Sequence, residues 1–397
     1  MTPSELLSAV RRRALELLVA HDRDDLDYQT AERQAAGEVA TIERLKARAI
    51  APRTASRRDD HGADPKTQLL RKLESIATCL AGRIGQPAGG TGGAGVGQPG
   101  DYSLAERLAL LPTSRRLTIV RRMTDEAVEH AIYDWKGFWA RPKQLPPPGD
   151  WATWVLRAGR GFGKSRTGAG WVHERAMAYP NRWIALVART PADARDYMIE
   201  GPGGLLRNAY PRERPLYDVS KRRLTWPNGS WATIYSDEEP DQLRGFSGDT
   251  AWLDEFAKYQ HPEQTWTNLE FGMREASNDQ PRKLVTTTPR PIPILKQTEQ
   301  LQSTVVVTGT SHENRSNLDP RWFEDTISRH EGTRIGRQEI LAEILEDAPG
   351  ALWTRVMLEQ ARINCGVIKE IRRGGPRWQR DAGPQRTRRI LKESPRS

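Results

Sequence analysis

Cysteine is nearly absent from this chain of 397 residues, which contains only Cys79 and Cys365. Neither lies in the spacing of a metal-binding motif, and the pair is too few for the disulfide framework of a small secreted domain. Long apolar runs are also missing, since none approaches the roughly 18 residues of a membrane span and the N-terminus lacks a signal-peptide core. We therefore expect a protein of a reducing cytoplasm with no membrane contact.

Hydrophobic residues are scarce for a single compact globule, at 37% of the chain, so we expect part of it to be polar and loosely structured. The charge is basic, with 61 Lys and Arg against 51 Asp and Glu and a formal net charge of +10. A basic chain favours a polyanionic partner, usually nucleic acid, although an ordinary soluble surface gives the same balance. The length allows two or three domains.

Composition divides the chain into segments. Residues 1–84 are predicted to form a helical N-terminal module, whose second helix begins with Asp64 as N-cap and Pro65 at the first helical position. Residues 85–100 are almost entirely Gly, Ala, Pro and Gln, which predicts a flexible linker, and we expect the region after it to fold without the module. The module carries no recognisable chemistry. Oligomerisation, DNA contact and a solvated appendage are its open uses.

A glycine-rich stretch lies between a predicted strand at 151–157 and a predicted helix at 166–177, which is the context of a phosphate-binding loop. Its residues are Ala158, Gly159, Arg160, Gly161, Phe162, Gly163, Lys164 and Ser165. Glycines let backbone N–H groups turn towards an anion, and the helix N-terminus adds a positive dipole end. We predict that Lys164 reaches the outer phosphates and that Ser165 holds Mg²⁺. Ala158 stands where the strict motif has Gly, and a loop that only turns a corner is the alternative.

A second motif is the pair of carboxylates, Asp254 and Glu255, at the end of a short apolar strand that begins at Thr250. A P-loop enzyme needs such a pair opposite its phosphate loop. We predict that Asp254 holds Mg²⁺, directly or through water, and that Glu255 polarises the attacking water as general base. The alternative is a solvated acidic pair at a strand end.

Two further segments are candidates for contacts with the nucleotide. A predicted strand at 283–288 ends in threonines, which would lie near the γ-phosphate because ligands bind beyond the carboxyl ends of parallel strands. Ordinary β-branched composition is the alternative. Upstream of the loop, an aromatic and Pro-rich segment offers Trp139 to stack on adenine and Gln144 to read its hydrogen-bonding edge. The same segment also fits a rigid strap packed on the core.

The remaining runs complete an α/β pattern. Residues 183–188 are predicted to form a central parallel strand, and 304–308 a further strand. A β-hairpin is predicted from two runs that flank Pro227-Asn228-Gly229. Helices are predicted at 101–133, 320–331 and 333–346.

Taken together, these motifs resemble the large subunit of phage terminases, the DNA-packaging motors of tailed phages and related gene transfer agents. The likeness runs from about Tyr133 to Ala361. It is carried by the two motifs above and by Tyr133-Asp134-Trp135, Trp139-Ala140-Arg141-Pro142, Leu243-Arg244-Gly245, Asn268 to Arg274, Thr286 to Pro291, Glu331 to Glu339 and Gly350 to Trp353.

The resemblance implies an α/β P-loop NTPase fold of the additional-strand, catalytic-glutamate type, with a mainly parallel central sheet. Lys164 and Ser165 would form the Walker A motif, Asp254 the Walker B carboxylate and Glu255 the catalytic carboxylate. Three threonines would couple hydrolysis to movement: Thr286, Thr287 and Thr288. Arg160 matches an arginine that the family often carries in its loop. It would stabilise phosphate charge in cis, with a finger from a neighbouring subunit as the alternative.

The implied function is a motor subunit that hydrolyses ATP with Mg²⁺ and drives double-stranded DNA into a capsid. Such subunits work as a homo-oligomeric ring on the portal protein, often with a small terminase subunit, in the host cytoplasm. A helicase-like ATPase is the rival enzyme, but too little chain follows residue 308 for a second motor domain. A non-catalytic binding module is the rival from another class, and the intact loop and carboxylates oppose it.

The resemblance also predicts what this chain does not do. Residues 101–361 are the predicted ATPase domain, and residues 362–397 form a basic tail in place of the family's nuclease domain. The tail has no strand-like run and contains only three acids, Glu370, Asp381 and Glu393. A two-metal nuclease centre needs several carboxylates around its ions. We therefore expect ATP hydrolysis without DNA cleavage.

Overall fold

A computed structural model describes residues 3–20, 31, 34–35, 64–81, 99–275 and 280–345 of the chain. Nearly all of the predicted linker, the end of the predicted ATPase domain and the whole basic tail lie outside the described residues. Among the helices that are described, none combines the length and the apolar character needed to cross a membrane.

Eight strands form one sheet at the centre of the fold. They are β1 Thr153–Ala158, β2 Trp183–Ala188, β3 Leu216–Asp218, β4 Arg223–Thr225, β5 Trp231–Ser236, β6 Thr250–Asp254, β7 Arg282–Thr287 and β8 Thr304–Gly309. Their order in the sheet is β3-β4-β5-β2-β6-β7-β1-β8. Neighbouring strands are parallel along β5-β2-β6-β7-β1-β8 and antiparallel along β3-β4-β5. The predicted mainly parallel α/β sheet is confirmed, and the hairpin is β4 with β5.

The central strands are apolar on both sides because both faces of the sheet are covered. Successive side chains of a strand point to opposite faces. Accordingly, Trp154 and Leu156 belong to the apolar cluster on one face, while Val155 between them belongs to the cluster on the other. All three are fully buried. Burial on two faces holds the carboxyl ends of β1, β6 and β7 at fixed positions relative to one another.

The helices surround this sheet. They are α1 Pro3–Ala20, α2 Pro65–Ala81, α3 Leu104–Ala109, α4 Thr113–Arg122, α5 Asp125–Tyr133, α6 Lys164–Ala178, α7 Leu205–Asn208, α8 Pro262–Gly272, α9 Pro293–Glu299 and α10 Arg334–Glu339. Shorter helical turns include Trp135–Trp139, Pro142–Gln144, Pro191–Asp193, Ala194–Ile199, Pro240–Gly245, Phe256–Lys258, Ser311–Asn317, Pro320–Trp322, Phe323–Ile327 and Ser328–His330. The predicted N-cap is confirmed, since the N–H of Thr67 donates to Asp64 Oδ2 at 3.1 Å.

Two predicted helices differ from the structure. The helix expected over 101–133 is three helices, because Pro112 precedes α4 and the Thr124 hydroxyl caps α5 by accepting from the N–H of Ala127 at 3.2 Å. The helix expected over 333–346 ends at Glu339. The carbonyl of Glu339 there accepts the N–H of Arg160 at 2.7 Å, so it does not continue the helical ladder. Strand β3 was not predicted at all.

Helices from both sides of the predicted linker share one apolar core. The cluster includes Leu15 of α1, Leu69 and Leu73 of α2, Leu108 of α3 and Val128 of α5. Leu69, Leu73 and Leu108 are fully buried. The linker in the sequence separates the N-terminal module from the rest of the chain. The sequence does not reveal that the helices of this module pack on the helices that follow the linker. The domain boundaries themselves stay a prediction.

The shared core argues against the expectation that the region after the linker folds without the N-terminal module. A fragment that starts at residue 99 loses α1 and α2 and exposes the faces of α3 to α5 that they cover, so we expect it to aggregate. Leu73→Ala in the full chain should lower the free energy of unfolding by about 2 to 5 kcal/mol, because a buried leucine leaves a cavity. Denaturant unfolding measures this, with the half-buried Leu70→Ala as control. A monodisperse, fully active fragment from residue 99 would contradict the expectation.

Candidate functional site

The glycine-rich loop connects β1, which ends at Ala158, to α6, which begins at Lys164. Gly161 and Gly163 have φ of 75° and 101°, a region that favours glycine. Among the described residues, the backbone N–H groups of Gly161, Gly163, Lys164 and Ser165 have no hydrogen-bond acceptor. Unpaired N–H groups at a helix N-terminus suit an anion. The loop therefore fits the phosphate chain that the sequence predicts for it.

Ala158 is compatible with this loop although the strict motif has Gly there. Its side chain is fully buried and belongs to one of the two sheet clusters, so its Cβ packs into the core. Gly159 is the position that needs glycine for space, since a Cβ there would lie 2.5 Å from the carbonyl oxygen of Ile340. The departure at Ala158 thus leaves the loop geometry intact.

The carbonyl groups of the loop are held from outside. Arg141 Nη2 donates to the carbonyl of Phe162 at 2.6 Å, and Asn314 Nδ2 donates to that of Gly161 at 2.5 Å. Ser311 Oγ donates to the carbonyl of Arg160 at 2.6 Å. Arg141 also hydrogen-bonds Asn314 Oδ1 and is 5% exposed, and burial lowers the pKa of its guanidinium. Because the carbonyls are engaged on one side, the N–H groups stay available on the other.

We call these three side chains the loop clamp: Arg141, Ser311 and Asn314. The sequence did not predict a functional role for them. Arg141 lies within a stretch that carries the family resemblance, but nothing local assigns it a contact. Ser311 and Asn314 lie in the segment that follows β8. Because β8 neighbours β1 in the sheet, this segment comes to the loop through strand pairing.

Gln144 and Trp139, the two residues predicted to contact adenine, lie in different parts of the fold. Gln144 reaches the loop, where its Nε2 donates to the carbonyl of Phe162 at 3.3 Å and its Oε1 accepts from the N–H of Arg141 at 3.2 Å. Trp139 packs in the helical layer, where its indole N–H donates to the carbonyls of Ala131 and Ile132 at 2.8 and 3.0 Å. The strap alternative accounts for these contacts, and the base-binding roles stay predictions.

Arg160 is engaged with the helix that follows the sheet. Its Nε donates to Glu339 Oε2 at 2.7 Å, and its side chain is 66% exposed. An exposed ion pair of this kind contributes about 1 kcal/mol or less, so it is easily exchanged for another anion. The predicted role of Arg160 in cis stays a prediction, and it requires the guanidinium to leave Glu339.

Asp254 and Glu255 lie at the carboxyl end of β6, opposite the loop. Glu255 leaves the strand in a left-handed conformation with φ of 52°. Its Oε1 lies 3.5 Å from Lys164 Nζ, while its Oε2 lies 3.1 Å from Lys258 Nζ and accepts from the hydroxyl of Thr288 at 3.1 Å. Lys164 also donates to the carbonyl of Ala158 at 3.1 Å. The two motifs that the sequence places far apart therefore meet in one site.

The environments of the two carboxylates push their pKa values apart. Burial, assisted by the negative charge of Glu255, raises the pKa of Asp254 to about 6. Burial would also raise the pKa of Glu255, but Lys164 and Lys258 outweigh it and hold that pKa below its ordinary value. Glu255 is therefore ionised at neutral pH. Lys258, three residues after it, is a contributor that sequence reasoning missed.

Magnesium fits the donor set that the site offers. Ser165 in the first turn of α6 brings a hydroxyl oxygen, and Asp254 brings a carboxylate. Oδ1 of Asp254 accepts from the Thr286 hydroxyl at 2.7 Å, whereas its Oδ2 has no donor among the described residues. Hard oxygen ligands in small number, completed by phosphate and water, are what Mg²⁺ prefers.

The three predicted coupling threonines are buried and connect to the carboxylate strand. The Thr286 hydroxyl accepts from the indole N–H of Trp252 at 2.8 Å and donates to Asp254. The Thr287 hydroxyl accepts from the N–H of Ala257, two residues after Glu255, at 3.1 Å. With Thr288 on Glu255, each threonine touches the turn that carries the carboxylates. This geometry is compatible with coupling, which stays a prediction.

Comparison with known proteins gives one match to a family model. The model described as terminase large subunit, T4likevirus-type, N-terminal, matches residues 155–360, which include the loop, the carboxylates and the threonines. No curated protein sequence matches the chain significantly.

Several solved structures are similar at low identity. The large terminase ATPase domain of Thermus phage P74-26 is 18% identical, with a TM-score of 0.41, over 53% of this chain and 96% of that one. The large terminase of a thermophilic bacteriophage in complex with ATP-gamma-S is 15% identical, with a TM-score of 0.42, over 54% and 52%. The HK97 bacteriophage large terminase is 14% identical, with a TM-score of 0.28, over 62% and 47%. This chain thus spans about half the length of the last two proteins.

Proposed function

Since the chain belongs to the terminase large subunits of the T4likevirus type, through the N-terminal family model that covers its loop and its carboxylates, we propose that it is an ATP-hydrolysing motor subunit of DNA packaging. One observation carries the proposal. Lys164 of the phosphate loop and Glu255 of the carboxylate strand lie 3.5 Å apart, charge to charge, at the carboxyl edge of the parallel sheet. Ligands of open α/β sheets bind at this edge.

Each part of the site has a proposed role in hydrolysis. The backbone N–H groups of the loop bind the phosphate chain of ATP, and Lys164 binds its outer oxygens. Ser165 and Asp254 hold Mg²⁺, which neutralises charge on the phosphates when bound. Glu255 orients and polarises the attacking water. Because the lysines keep Glu255 ionised, it is ready to accept a hydrogen bond from water at neutral pH.

The threonines are proposed to transmit the state of the site. Thr286 of β7 contacts Asp254, and Thr288, the residue after β7, contacts Glu255, so a change at either carboxylate reaches the carboxyl end of this strand. Their side chains are buried, which leaves few alternative partners when a hydrogen bond is lost. Such a strand is suited to convert loss of the γ-phosphate into displacement of neighbouring loops.

The partners follow from the family and are proposals for this chain. The polymer substrate is double-stranded DNA, contacted mainly through its phosphates, and the motor is a homo-oligomeric ring on the capsid portal with a small terminase subunit. Contacts of this kind tolerate any sequence and weaken with salt. DNA-stimulated ATP hydrolysis by the full chain tests the proposal. Stimulation by double-stranded rather than single-stranded DNA favours the packaging motor over a helicase-like ATPase, and no hydrolysis at all favours a binding module.

We also propose that this chain hydrolyses ATP but does not cut DNA. Residues 362–397 contain only three acids, too few and too scattered for a two-metal centre. Plasmid incubated with the purified chain and Mg²⁺ or Mn²⁺ is expected to stay supercoiled on a gel. Metal-dependent cleavage that co-purifies with the chain and disappears on chelation would overturn this expectation.

A further inference from the structure

A cavity of about 540 Å³ lies beside the first turn of α6, outside the site described above. It is lined by residues of α2, α5, α6, α7 and the segment after α7. Its polar lining consists mainly of Gln68, Lys72, Arg166, Arg207, Asn208 and Arg214. Gln68 and Lys72 belong to the N-terminal module, for which the sequence suggested no chemistry. The volume falls in the range of small-molecule sites.

Among the residues that the structure describes, no carboxylate compensates the positive charge of this cavity. None of its lining residues is acidic. In the part of the chain that the structure describes, no carboxylate forms an ion pair with Lys72, Arg166, Arg207 or Arg214. Instead, Lys72 Nζ lies 5.4 Å above the ring of Trp139, and Arg166 Cζ lies 4.6 Å above that of Trp135.

Two of these cations are also under electrostatic strain. Burial lowers the pKa of Arg166 to about 9, which still leaves the guanidinium charged at neutral pH. Burial, and then the charge of Arg166, lower the pKa of Lys72. In addition, Nε of Arg214 is buried, and the described part of the chain offers it no hydrogen-bond acceptor. A bound anion would relieve the repulsion and satisfy that N–H group.

We propose that this cavity is a second phosphate-binding site, separate from the glycine-rich loop, for the phosphate group of a nucleotide unit. Guanidinium groups bind phosphate oxygens through paired N–H donors, which makes arginine the preferred residue for this ligand. The volume exceeds that of one phosphate, so sugar or base fits beside it. The phosphate comes either from a DNA backbone or from a free nucleotide. Only the first source rests on the proposed function.

Binding measurements on the full chain distinguish the two sources. Arg207→Ala with Arg214→Ala removes two cavity cations, and Arg189→Ala with Arg195→Ala is the control. The control removes two exposed arginines that pair with Asp193 and Asp196 and has the same net charge. A short fluorescent DNA duplex of random sequence, titrated at several salt concentrations, reports the first source. A fluorescent ATP analogue reports the second when both variants carry Lys164→Ala as well, because the glycine-rich loop then no longer binds the analogue.

If the ligand is DNA backbone, the cavity variant should bind the duplex about tenfold more weakly. Its slope of log affinity against log salt should then be smaller by about 2, with affinity for the ATP analogue unchanged. If the ligand is a free nucleotide, affinity for the analogue should fall about tenfold instead. Equal behaviour of cavity variant and control in both assays would overturn the proposal. Lys72→Ala, which removes a single cavity cation, gives a slope smaller by about 1 should the double variant misfold. The assays need no ATP turnover, so they stay readable even if the chain is not a motor.

Discussion

Glu255→Gln is expected to bind ATP normally and to hydrolyse it about 10²- to 10⁴-fold more slowly, because a positioned general base contributes about that much. Gln keeps the size of the side chain and accepts the hydrogen bond from Thr288, but it cannot take up a proton. Lys164→Ala is expected to fail earlier, at binding, because Lys164 contacts phosphate oxygens that exist before any reaction. The two variants therefore separate binding from chemistry.

Equilibrium binding of a fluorescent ATP analogue and single-turnover hydrolysis measure the two effects independently. Lys258→Ala is an informative companion, since it removes one of the two lysines near Glu255 without touching the loop. Normal hydrolysis in Glu255→Gln would refute the catalytic assignment. Tight ATP binding by Lys164→Ala would refute the assignment of the phosphate loop.

Asp254→Asn is expected to stabilise the chain without nucleotide and to abolish Mg²⁺-dependent hydrolysis. Asp254 has a pKa of about 6 in the folded chain against 3.8 for the ordinary group, so folding disfavours its ionised form. The shift of roughly two units corresponds to about 3 kcal/mol at neutral pH, as an upper figure for a buried carboxylate. Asn keeps an acceptor for Thr286 and carries no charge.

The stability gained by Asp254→Asn depends on pH. A raised pKa means that the contribution of Asp254 to stability is fully present below pH 4 and is lost as pH rises through 6. Asp254→Asn should therefore unfold at the same denaturant concentration as the parent near pH 4 and at a higher one above pH 7. Asp150→Asn, at an exposed position before β1, is the matched control. Equal stability of parent and Asp254→Asn across this range would contradict the burial argument.

The parts of the site that the sequence predicts are those that neighbouring residues specify. β1, the loop and α6 follow one another within a short stretch, and glycines with a Lys-Ser pair identify the loop between them. The strand that ends at Asp254 follows from an apolar run with a polar end, and the strand predicted at 283–288 is observed as β7, which ends one residue earlier. The α/β class follows in turn, because alternating strands and helices favour a parallel sheet.

The rest depends on contacts between distant segments. Arg141 and Asn314 hold the loop, yet no local pattern links either residue to it. Apolar periodicity in α2 predicts which face is buried but not that it packs on α3 and α5. α10 is shorter than its pattern because a tertiary contact overrides helix propensity where the carbonyl of Glu339 accepts the N–H of Arg160. The cationic cavity likewise joins side chains from both sides of the linker.

Strand β7 lies between β1 and β6, so the sheet fixes the distance between the phosphate loop and the carboxylates. Asp254, Thr286 and Leu156 lie in one row across these strands. The loop strand and the carboxylate strand are therefore two interstrand steps apart, roughly 10 Å, a distance that backbone hydrogen bonds set. Exchanging the helical layer for that of a relative should leave this distance unchanged. Chimeras made at the sheet boundary would then retain the chemistry and inherit new partners, so the two properties can be engineered separately.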